Sequence, residues 1–413
     1  MLMNILFMTA YFPPEIGSAS HLFYDLSQSL GRKRHRVTVV TTFPRRHAAN
    51  VPETYRHGRF FFSSEHMGCV QVIRIAELPA FRDSLFSRGL EHFILPIALL
   101  LGGLISRNQD VIIVYSPPLP LGLSAFVLSK IKKIPFVVNV QDLHPKALVD
   151  LGLLKNHIVI RMFEIMEEFI YHKANYLTVH SEGNREHVIS KGVSRDKVFV
   201  IPNWPDTLNP VSSESLDEFR KKNSLNEKFV VSYAGIFSHS QDLETIVDCA
   251  FLLREQKDIL FLLVGDGRQK KKLIEKANAL NLKNLRFLPF QPLENYHLLL
   301  KSSDVCLVSL RKSGVKTPVV PRKLQDIMAS GCAVIANVPL DGDVPKIIEK
   351  AKCGLCVESE NPKELARAIL QLHQDPSLRE EMGRNGKQYA KKHFSLSICT
   401  RKYEALLVEA CPL

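Results

Sequence analysis

Residues 320–337 read VPRKLQDIMASGCAVIAN, and this stretch decides the fold. Leu324, Ile327 and Met328 have the spacing of one helix face. Gly331 can end that helix in a left-handed conformation, which costs glycine little. The apolar run that follows, CAVIA, is typical of a parallel strand that is covered on both sides. A helix that turns directly into such a strand indicates an α/β protein.

Two polar residues of this stretch indicate a binding site. A junction of this kind presents polar groups towards a crevice, here the acid Asp326 and the cation Lys323. A carboxylate can bind the hydroxyl groups of a ribose, and an ammonium group can bind phosphate. Together the two side chains favour a site for a sugar nucleotide.

The stretch resembles the donor-site signature of the family-four retaining glycosyltransferases of GT-B fold, Pro-x-Lys-Leu-x-Glu-x-Met-Ala-x-Gly-x-Pro-Val-Ile-Ala. The resemblance implies that Asp326, at the second glutamate of the signature, binds the ribose. Lys323 matches a basic position of one branch, which resembles bacterial transferases of N-acetylfucosamine-type sugars for O-antigen or capsule. The first acid of the wider family's signature, eight residues earlier, is replaced here by Pro318.

The chain length bounds the number of domains. A chain of 413 residues is too long for one ordinary core and predicts two domains. The resemblance implies the α/β architecture called GT-B, in which two Rossmann-like domains face an inter-domain cleft and a C-terminal helix crosses back. We therefore predict an acceptor-binding domain over residues 1–205, a nucleotide-sugar-binding domain over 206–390, and a returning helix over 391–413.

The chain is basic, with a formal net charge of +12 and a pI of about 9.2. Residues 1–205 hold +7 of this charge, most densely between Arg32 and Arg59. A basic surface suits nucleic acid, anionic lipid or a phosphorylated substrate, unless it is only a solvated face. Because no aromatic–basic recognition motif accompanies the charge, we predict no nucleic-acid partner.

No metal or cofactor is expected. The eight cysteines lie mostly in apolar runs, which predicts buried free thiols in a reducing compartment. Cys353 and Cys356 form a lone CxxC without the further ligands of a zinc site. The triplet Asp341-Gly342-Asp343 resembles a manganese-binding DxD, but Asp-Gly is common in turns and GT-B enzymes do not need that metal.

Two long helices are predicted in the first half, and the first of them bears on membrane contact. Residues 90–106 form a helix that is apolar on nearly every side, and its longest apolar run of 13 residues is too short to cross a bilayer. It is either a buried helix or an interfacial helix that presses into an anionic membrane surface. Residues 158–172 form an amphipathic helix, whose Glu164, Glu167 and Glu168 are expected to face water. Because no secretory signal leads the chain, we predict a cytoplasmic protein, with peripheral contact to the inner face of the membrane as an alternative.

The first predicted strand, residues 4–9, leads into the loop and helix start YFPPEIGSAS at 11–20. Ser18 or Ser20 can cap this helix, and the helix N–H groups behind Gly17 form an anion-binding geometry. The resemblance implies that Gly17 and Ser18 contact the donor diphosphate or the acceptor.

Candidate catalytic residues follow the predicted strand at 136–139, in the segment QDLHP. Polar groups directly after a parallel strand lie at the carboxyl edge of the sheet, where α/β proteins bind ligands. The resembling branch has Arg-Asp-Leu-Trp-Pro here, so Gln141 replaces its basic residue. Asp142 is the candidate catalytic base and His144 is a second candidate. The alternatives are a helix N-cap for Asp142 and a loop or core histidine for His144.

The second half repeats the strand–loop–helix pattern. A predicted strand at 229–234 leads through a loop into a helix opened by Gln241 or Asp242, which again suits an anion. The resemblance implies four further donor-binding residues, the last of them near the base: Gly235, Gln241, Gly265 and Phe290. The wider family's basic loop residues are missing, so the diphosphate charge is expected to be met by Lys316, Arg322 or Lys323.

The resemblance implies a transferase that moves a sugar, with retention of anomeric configuration, from a nucleotide diphosphate sugar, with a UDP-sugar expected first. The group transferred would be a hexosyl or N-acetylhexosaminyl group. The acceptor would be a glycan or a polyprenyl-linked saccharide, as in surface polysaccharide assembly. The alternatives are a sugar-nucleotide epimerase of GT-B fold and a non-catalytic nucleotide-sugar-binding homologue, and Pro318 favours the second of these.

Overall fold

The computed structural model describes residues 2–15, 17–44, 62–76, 85–205, 212–312, 318 and 320–411, with the backbone alone for 85–93. The chain divides into two compact units, one formed by Met1–Asn203 with Leu396–Leu413 and the other by Trp204–Ser395. The predicted divisions fell after residues 205 and 390. The basic residues Arg45, Arg46, Arg56 and Arg59 lie outside the described residues, as does Lys316.

The first unit alternates strands and helices around one sheet. Its strands lie side by side in the order β3-β4-β2-β1-β5-β6-β7-β8, and every pair of neighbours is parallel except β3 with β4. The elements are β1 Asn4–Met8, α1 Ser18–Arg32, β2 Arg36–Thr42, β3 Phe62–Met67, β4 Val70–Ile75, α2 Leu85–Ile105, β5 Val111–Ser116, α3 Leu121–Lys132, β6 Phe136–Val140, α4 Lys146–Asp150, α5 His157–Lys173, β7 Tyr176–Val179, α6 Glu182–Ser190, β8 Val198–Val200 and the last helix, Leu396–Ala410.

The central strands of this sheet are buried along nearly their whole length, because they are continuous apolar runs with helices on both faces. The strand order reverses between β1 and β5, and α/β sheets bind ligands at the carboxyl ends of such strands. The last helix belongs to this unit. Its Tyr403 Oη accepts a hydrogen bond of 2.6 Å from Asn139 Nδ2 of β6, and its Thr400 Oγ1 donates to Ser29 Oγ at 2.9 Å.

The second unit has a parallel sheet of its own, in the order β11-β10-β9-β12-β13-β14, which reverses between β9 and β12. Its elements are α7 Ser213–Lys222, β9 Phe229–Ile236, α8 Leu243–Leu252, β10 Ile259–Asp266, α9 Lys270–Ala279, β11 Leu285–Leu288, α10 Leu293–Ser302, β12 Val305–Ser309, α11 Arg322–Ser330, β13 Ala333–Val338, α12 Asp343–Ala351, β14 Gly354–Glu358, α13 Pro362–Gln374 and α14 Pro376–His393. The helix Leu396–Ala410 of the first unit is then α15.

The stretch that decides the fold forms the predicted helix, turn and strand. Helix α11 ends at Ser330, and Gly331 follows it in a left-handed conformation with φ 83°. Strand β13 is buried throughout and pairs in parallel with β12 and β14. The prediction of a parallel α/β architecture with two Rossmann-like units is therefore confirmed.

Three expectations about the first unit are wrong. The polar and basic composition of residues 44–68 predicts an irregular segment, but residues 62–67 form a strand, because β3 pairs antiparallel with β4 at the edge of the sheet. Of the two alternatives for the helix at 90–106, the buried helix is the wrong one, because Ile97 of α2 is 58% exposed although Leu99 is fully buried. Glu167 of α5 does not face water, because it is 1% exposed. Among the described residues, no helix combines the length and hydropathy that crossing a membrane requires.

Candidate functional site

Two glycines lie opposite each other at the ends of strands β9 and β10, at the carboxyl edge of the second sheet. Gly235 and Gly265 are paired across the two strands and have φ values of +150° and +145°. A Cβ atom on Gly265 would lie 1.9 Å from the carbonyl oxygen of Gly235. Glycine is therefore required at 265 by the neighbouring backbone, whatever binds there. The predicted donor contact of Gly265 stays a prediction.

Lys323 reaches across to these strand ends from the first turn of α11. Its Nζ lies 3.8 Å from the centroid of the Tyr233 ring in β9, and a Cβ atom on Gly235 would lie 2.7 Å from the same Nζ. Burial lowers the pKa of Lys323 to about 7, against the opposing effect of the Asp326 carboxylate. A phosphate oxygen at this point would favour the charged form of the amine.

Asp326 lies one turn further along α11 and is only 5% exposed. Its Oδ2 accepts a hydrogen bond of 3.3 Å from Tyr296 Oη, which belongs to α10. Sequence reasoning missed Tyr296, because an aromatic residue within an apolar helical pattern looks like an ordinary core residue. The structure thus brings Lys323 and Asp326 together with Gly235 and adds a tyrosine hydroxyl to the set.

Gln241 is fixed by the same tyrosine that contacts Lys323. Tyr233 Oη donates to Gln241 Oε1 and to the carbonyl of Ile236, each at 3.1 Å. Of the two residues predicted to open α8, Asp242 is at the N-cap. Its side chain does not cap the helix, because Oδ2 accepts from Asn337 Nδ2 at 3.0 Å and from the Glu360 N–H at 2.7 Å. The loop is therefore anchored to neighbouring elements of its own unit.

Phe290 lies in the loop after β11, and its ring is 58% exposed. All strands of this sheet are parallel, so the loop after β11 lies at the same edge as those after β9 and β10. An exposed aromatic ring at this edge can stack on a nucleobase. Arg322 is half-buried beside Lys323 at the start of α11.

In the first unit, Gly17 is the N-cap of α1 and has a φ of +154°. A Cβ atom on Gly17 would find no atom of the described residues within 4 Å, so the space beside this helix start is open. The expectation that Ser18 or Ser20 caps the helix is wrong, because α1 begins at Ser18 itself and no side chain caps it. Ser18 is exposed, whereas Ser20 is buried.

Asp142 and His144 follow β6, as predicted. Asp142 is exposed, and its charge, together with burial as the larger cause, raises the pKa of the Tyr115 hydroxyl well above its usual value. The His144 N–H donates to the Asp142 carbonyl at 3.1 Å, and the ring is half-buried. The helix-cap alternative for Asp142 is wrong, because α4 begins at Lys146 with Pro145 at its N-cap.

Two protein-family models match consecutive parts of the chain. "Glycosyl transferase 4-like domain" matches residues 17–204, and "Glycosyl transferases group 1" matches residues 215–389. Together they span most of both units. The chain belongs to the group 1 glycosyl transferases.

Relatives and solved structures agree with this family. WcaI of Escherichia coli K12, a glycosyl transferase whose name assigns it to colanic acid biosynthesis, is 25% identical over 89% of this chain and 92% of its own. The glycosyltransferase WbjE of Pseudomonas aeruginosa is 26% identical over 70% of this chain and 72% of its own. Crystal structures of Anabaena HepE in complex with UDP and with UDP-glucose share 17% identity, cover 98% of this chain and 100% of HepE, and give TM-scores of 0.73 and 0.72. This likeness shows that the glycosyltransferase has the GT-B fold.

One buried cation of the glycosyltransferase holds the loop that precedes Gly17. Arg74 of β4 is fully buried, and its Nη2 donates to the Pro13 carbonyl at 2.5 Å. Nε donates to Glu65 Oε1 at 2.6 Å, and Nη1 donates to the Thr42 carbonyl at 3.3 Å. Sequence reasoning missed this residue because a single arginine in a strand of mixed polarity is not distinctive. Arg74 is a positioning residue for the loop, since it fixes the backbone at Pro13.

In this glycosyltransferase, the Gln141 side chain links two asparagine side chains by hydrogen bonds. Its Oε1 accepts from Asn203 Nδ2 at 2.8 Å, and its Nε2 donates to Asn139 Oδ1 at 3.0 Å. Asn139 Nδ2 in turn donates to Tyr403 Oη and to Thr178 Oγ1. The chain of amides joins the carboxyl ends of β6 and β8 to α15. An arginine could not accept the Asn203 bond, which accounts for the amide at this position.

The described residues contain no group of three or more His, Cys, Asp or Glu side chains that could hold a metal ion. All eight cysteines are free thiols, and burial raises the pKa of Cys353 and of Cys356 to about 12. The triplet at 341–343 forms a turn that leads into α12, with Gly342 at the N-cap. The names of the relatives do not mention N-acetylfucosamine, so that branch assignment stays a prediction.

Proposed function

We propose that this glycosyltransferase transfers a sugar, with retention of configuration, from a UDP-sugar to a glycan or lipid-linked saccharide in surface polysaccharide biosynthesis. The observation that carries the proposal is the set of Lys323, Asp326 and Gly235 at the carboxyl edge of the second sheet. HepE, of the same fold, binds UDP and UDP-glucose, and WcaI is named for colanic acid biosynthesis. Both support the proposal, which locates the reaction in the cytoplasm.

The second unit binds the donor in this proposal. Asp326 accepts hydrogen bonds from the ribose hydroxyls, and Lys323 neutralises the diphosphate beside the open backbone at Gly235. Phe290 stacks on the base. Gln241 and Gly265 line the same edge. Each of these contacts would be made without a metal ion, since a protonated lysine supplies the positive charge.

The first unit binds the acceptor, with Gly17 and Ser18 beside the diphosphate or the acceptor. In a front-face displacement, the acceptor oxygen forms a bond to the anomeric carbon on the side from which UDP leaves. The bond between that carbon and the diphosphate oxygen breaks, and the proton of the acceptor hydroxyl passes to Asp142 or to the departing phosphate. His144 is the second candidate for that proton. The protein contributes positioning and electrostatic stabilisation of the leaving group.

Thermal denaturation with a panel of nucleoside diphosphates tests the proposal. UDP at about 100 times its dissociation constant should add about 2.7 kcal/mol to the free energy of unfolding. We expect UDP to give a larger shift than GDP, ADP or CDP, and Asp326→Ala to remove that shift. Asp341→Ala is the matched control, because Asp341 is an exposed acid in a turn of the same unit. Equal shifts in wild type and Asp326→Ala would overturn the assignment of the site.

A non-catalytic binding protein is the second candidate, and Pro318 at the first acid of the signature favours it. Such a protein would bind UDP tightly yet neither hydrolyse a UDP-sugar nor transfer its sugar to any acceptor in a panel of lipid-linked saccharides. Transfer to one acceptor, with the α- or β-linkage of the donor retained in the product, would exclude it. Conversion of the free UDP-sugar to its epimer without acceptor would instead identify an epimerase.

A further inference from the structure

A cavity lies between the end of helix α2 and the edge of the first sheet. Its volume is about 300 Å³, the lower end of the range of about 300–1,000 Å³ for small-molecule sites. Residues of strands β2, β3 and β4 form its floor, and residues 105–109 form the opposite wall. It is lined by none of the residues assigned to the donor, the acceptor or proton transfer. The cavity, here called the edge cavity, is therefore a separate candidate site.

The edge cavity lies near the amino ends of the parallel strands. Thr38 is the third residue of β2, Gln71 is the second residue of β4, and Gln109 precedes β5. Gly17 and Asp142, in contrast, follow the carboxyl ends of β1 and β6. A strand of six residues such as β5 is about 20 Å long. A ligand in the edge cavity would therefore leave the carboxyl edge of the sheet free.

The floor of the edge cavity is polar, although the centre of the same sheet face is apolar. The strand register places Thr38 beside Gln71, and Ser64 of β3 opposite Ile73. Because side chains two residues apart share a face, these residues lie on the face that also carries Val40. Val40 and Ile73 belong to the apolar core under α2. The polar side chains beside them contribute nothing to that core, so they are available to a ligand.

The polar side chains of the floor have unused hydrogen-bonding groups. Gln71 Nε2 donates to Ser64 Oγ at 3.0 Å, while Gln71 Oε1 has no partner among the described residues. Thr38 is only 7% exposed, yet its hydroxyl forms no hydrogen bond within the described part of the chain. Since a buried hydroxyl normally has a partner, the partner of Thr38 must come from the cavity.

The opposite wall is a hydrogen-bonded turn that carries one free cation. Gln109 Nε2 donates to Ser106 Oγ at 2.7 Å and to the Arg107 carbonyl at 2.9 Å. Lys132 Nζ of α3 donates to the Ser106 carbonyl. The Arg107 guanidinium is exposed and forms no ion pair with any described residue. Because the described residues that line the edge cavity include no acid, Arg107 is the one charged group among them.

An aromatic ring completes the lining. Phe62 begins strand β3 and is 51% exposed. The apolar C–H face of a sugar ring can pack on such a ring, while the sugar hydroxyls bind amide and hydroxyl groups such as those of Gln71 and Thr38. A guanidinium binds a carboxylate through two parallel hydrogen bonds. The combination fits a saccharide that carries a carboxylate.

We propose that the edge cavity binds a hexuronic acid unit of a glycan. Phe62 packs on the sugar ring, Thr38 and Gln71 bind its hydroxyls, and Arg107 binds its carboxylate. The glycosyltransferase thus holds a glycan at a site separate from the one at which sugar is transferred. Only the source of the glycan rests on the proposed function, because the preference for an acidic sugar can be measured without any donor.

Saturation-transfer NMR of the full-length chain with methyl glycosides tests this proposal. Methyl glucuronide and methyl galacturonide should receive saturation from the wild type and bind more tightly than methyl glucoside. Arg107→Gln should weaken the binding of methyl glucuronide about fivefold, which corresponds to about 1 kcal/mol, and leave that of methyl glucoside unchanged. The matched control is Lys133→Gln, since Lys133 is an exposed cation of the same unit outside the cavity. It should bind methyl glucuronide as the wild type does.

The place of binding is tested with Ser64→Trp. Ser64 is an exposed residue of an edge strand, so an indole can fill the cavity without entering the core. This variant should lose the binding of all three glycosides. Phe62→Ala should weaken the binding of all three, whereas Phe169→Ala, which removes a ring that is 39% exposed on α5, should not. Circular dichroism would show that each variant is folded.

Three results would overturn the proposal. The first is a wild type that binds neither uronide. The second is equal binding by the wild type and Ser64→Trp, which would place the sugar elsewhere. The third is equal affinity for methyl glucuronide and methyl glucoside, which would remove the role of Arg107. A UDP-induced thermal shift retained by Ser64→Trp separates the edge cavity from the donor site. Uronide binding that Ser64→Trp abolishes, in a protein without any UDP-induced shift, would contradict the proposed function and support the edge cavity.

Discussion

The Lys323 ammonium nitrogen lies 3.8 Å from the centroid of the Tyr233 ring, at the end of strand β9. The aromatic face offers the cation partial compensation, but burial still lowers the pKa of Lys323 to about 7. In the ligand-free protein, about half of these side chains are therefore neutral near pH 7. A diphosphate needs the charged form, so donor binding is linked to proton uptake.

From this linkage we expect the affinity for UDP to fall as the pH rises above 7. The fraction of protonated Lys323 drops by roughly eightfold between pH 7.5 and 8.5, and the apparent dissociation constant should rise by about the same factor. Isothermal titration calorimetry in buffers of different ionisation enthalpy would measure both the affinity and the protons taken up. Lys323→Arg should remove the pH dependence, because arginine stays charged throughout this range. A pH-independent dissociation constant in the wild type would contradict the assignment of the phosphate contact.

The same titration affects the stability of the ligand-free protein. The unfolded chain protonates this lysine near its ordinary pKa of 10.5, whereas the folded chain does so only near 7. Between these values the unfolded state binds more protons, so the free energy of unfolding should rise with pH relative to Lys323→Met. Urea unfolding at pH 7 and pH 9 would measure the difference, and the absence of a rise relative to Lys323→Met would show that the lysine stays charged in the fold.

Tyr296→Phe should weaken UDP binding without unfolding the protein. The variant removes the hydroxyl that donates to Asp326 Oδ2 at 3.3 Å, and the phenyl ring keeps the packing of α10. Loss of one hydrogen bond to a carboxylate corresponds to about 1.5–3 kcal/mol, or roughly 10- to 150-fold in affinity if the carboxylate loses its orientation. Fluorescence or calorimetric titration with UDP would measure this loss of affinity. The control is Tyr389→Phe, which alters a tyrosine of α14 and should leave the affinity for UDP unchanged.

A comparison of Gly265→Ala with Gly17→Ala separates two causes of lost stability, a steric clash of the new Cβ atom and an unfavourable backbone conformation. Both glycines have strongly positive φ values, but only the Cβ atom at 265 would meet backbone, 1.9 Å from the Gly235 oxygen. Gly265→Ala should lower the free energy of unfolding by about 4 kcal/mol or more and yield little folded protein. Gly17→Ala should cost about 1–3 kcal/mol from conformation alone. Solubility and thermal denaturation would rank the two variants by stability. Equal losses of stability would disprove the clash between a Cβ atom at position 265 and the Gly235 carbonyl.

Gln141→Met should destabilise the first unit by about 1–3 kcal/mol. It leaves Asn203 Nδ2 and Asn139 Oδ1 without their amide partner inside the fold. Urea denaturation would measure the loss, and UDP affinity should not change. A variant as stable as the wild type but inactive would instead mean that Gln141 acts on substrate, as the basic residue of the resembling branch would.

Much of the fold could be predicted from the sequence, because its strands are short continuous apolar runs. The helix and strand on either side of Gly331 were predicted correctly, since periodicity, a glycine stop and a buried strand all agree there. Strand β3 was missed because its residues, FSSEHM, alternate weakly and gain their strand conformation from pairing with β4 at a sheet edge. Local sequence carries no signal for such a pairing.

The candidate site was predictable only in part. Lys323 and Asp326 were found because a sequence signature contains them. Tyr296 meets Asp326, and Arg74 meets the Pro13 carbonyl, only after each unit has folded. The direction of Glu167 was predicted wrongly for a similar reason. The pattern of α5 shows that the helix is amphipathic, but it does not show that Glu167 is buried on the inner side, where it pairs with Lys191 and His187.

Helix α15 has a consequence for biosynthesis. It contributes Tyr403 and Thr400 to the first unit, yet it is translated only after the whole of the second unit. While the ribosome is still making Trp204–Ser395, the surface of the first unit that packs against α15 is exposed. Premature stop codons within α15 should therefore destabilise the first unit, although that unit is translated first. In a ribosome-bound nascent chain, the first unit should become protease-resistant only after α15 has been made.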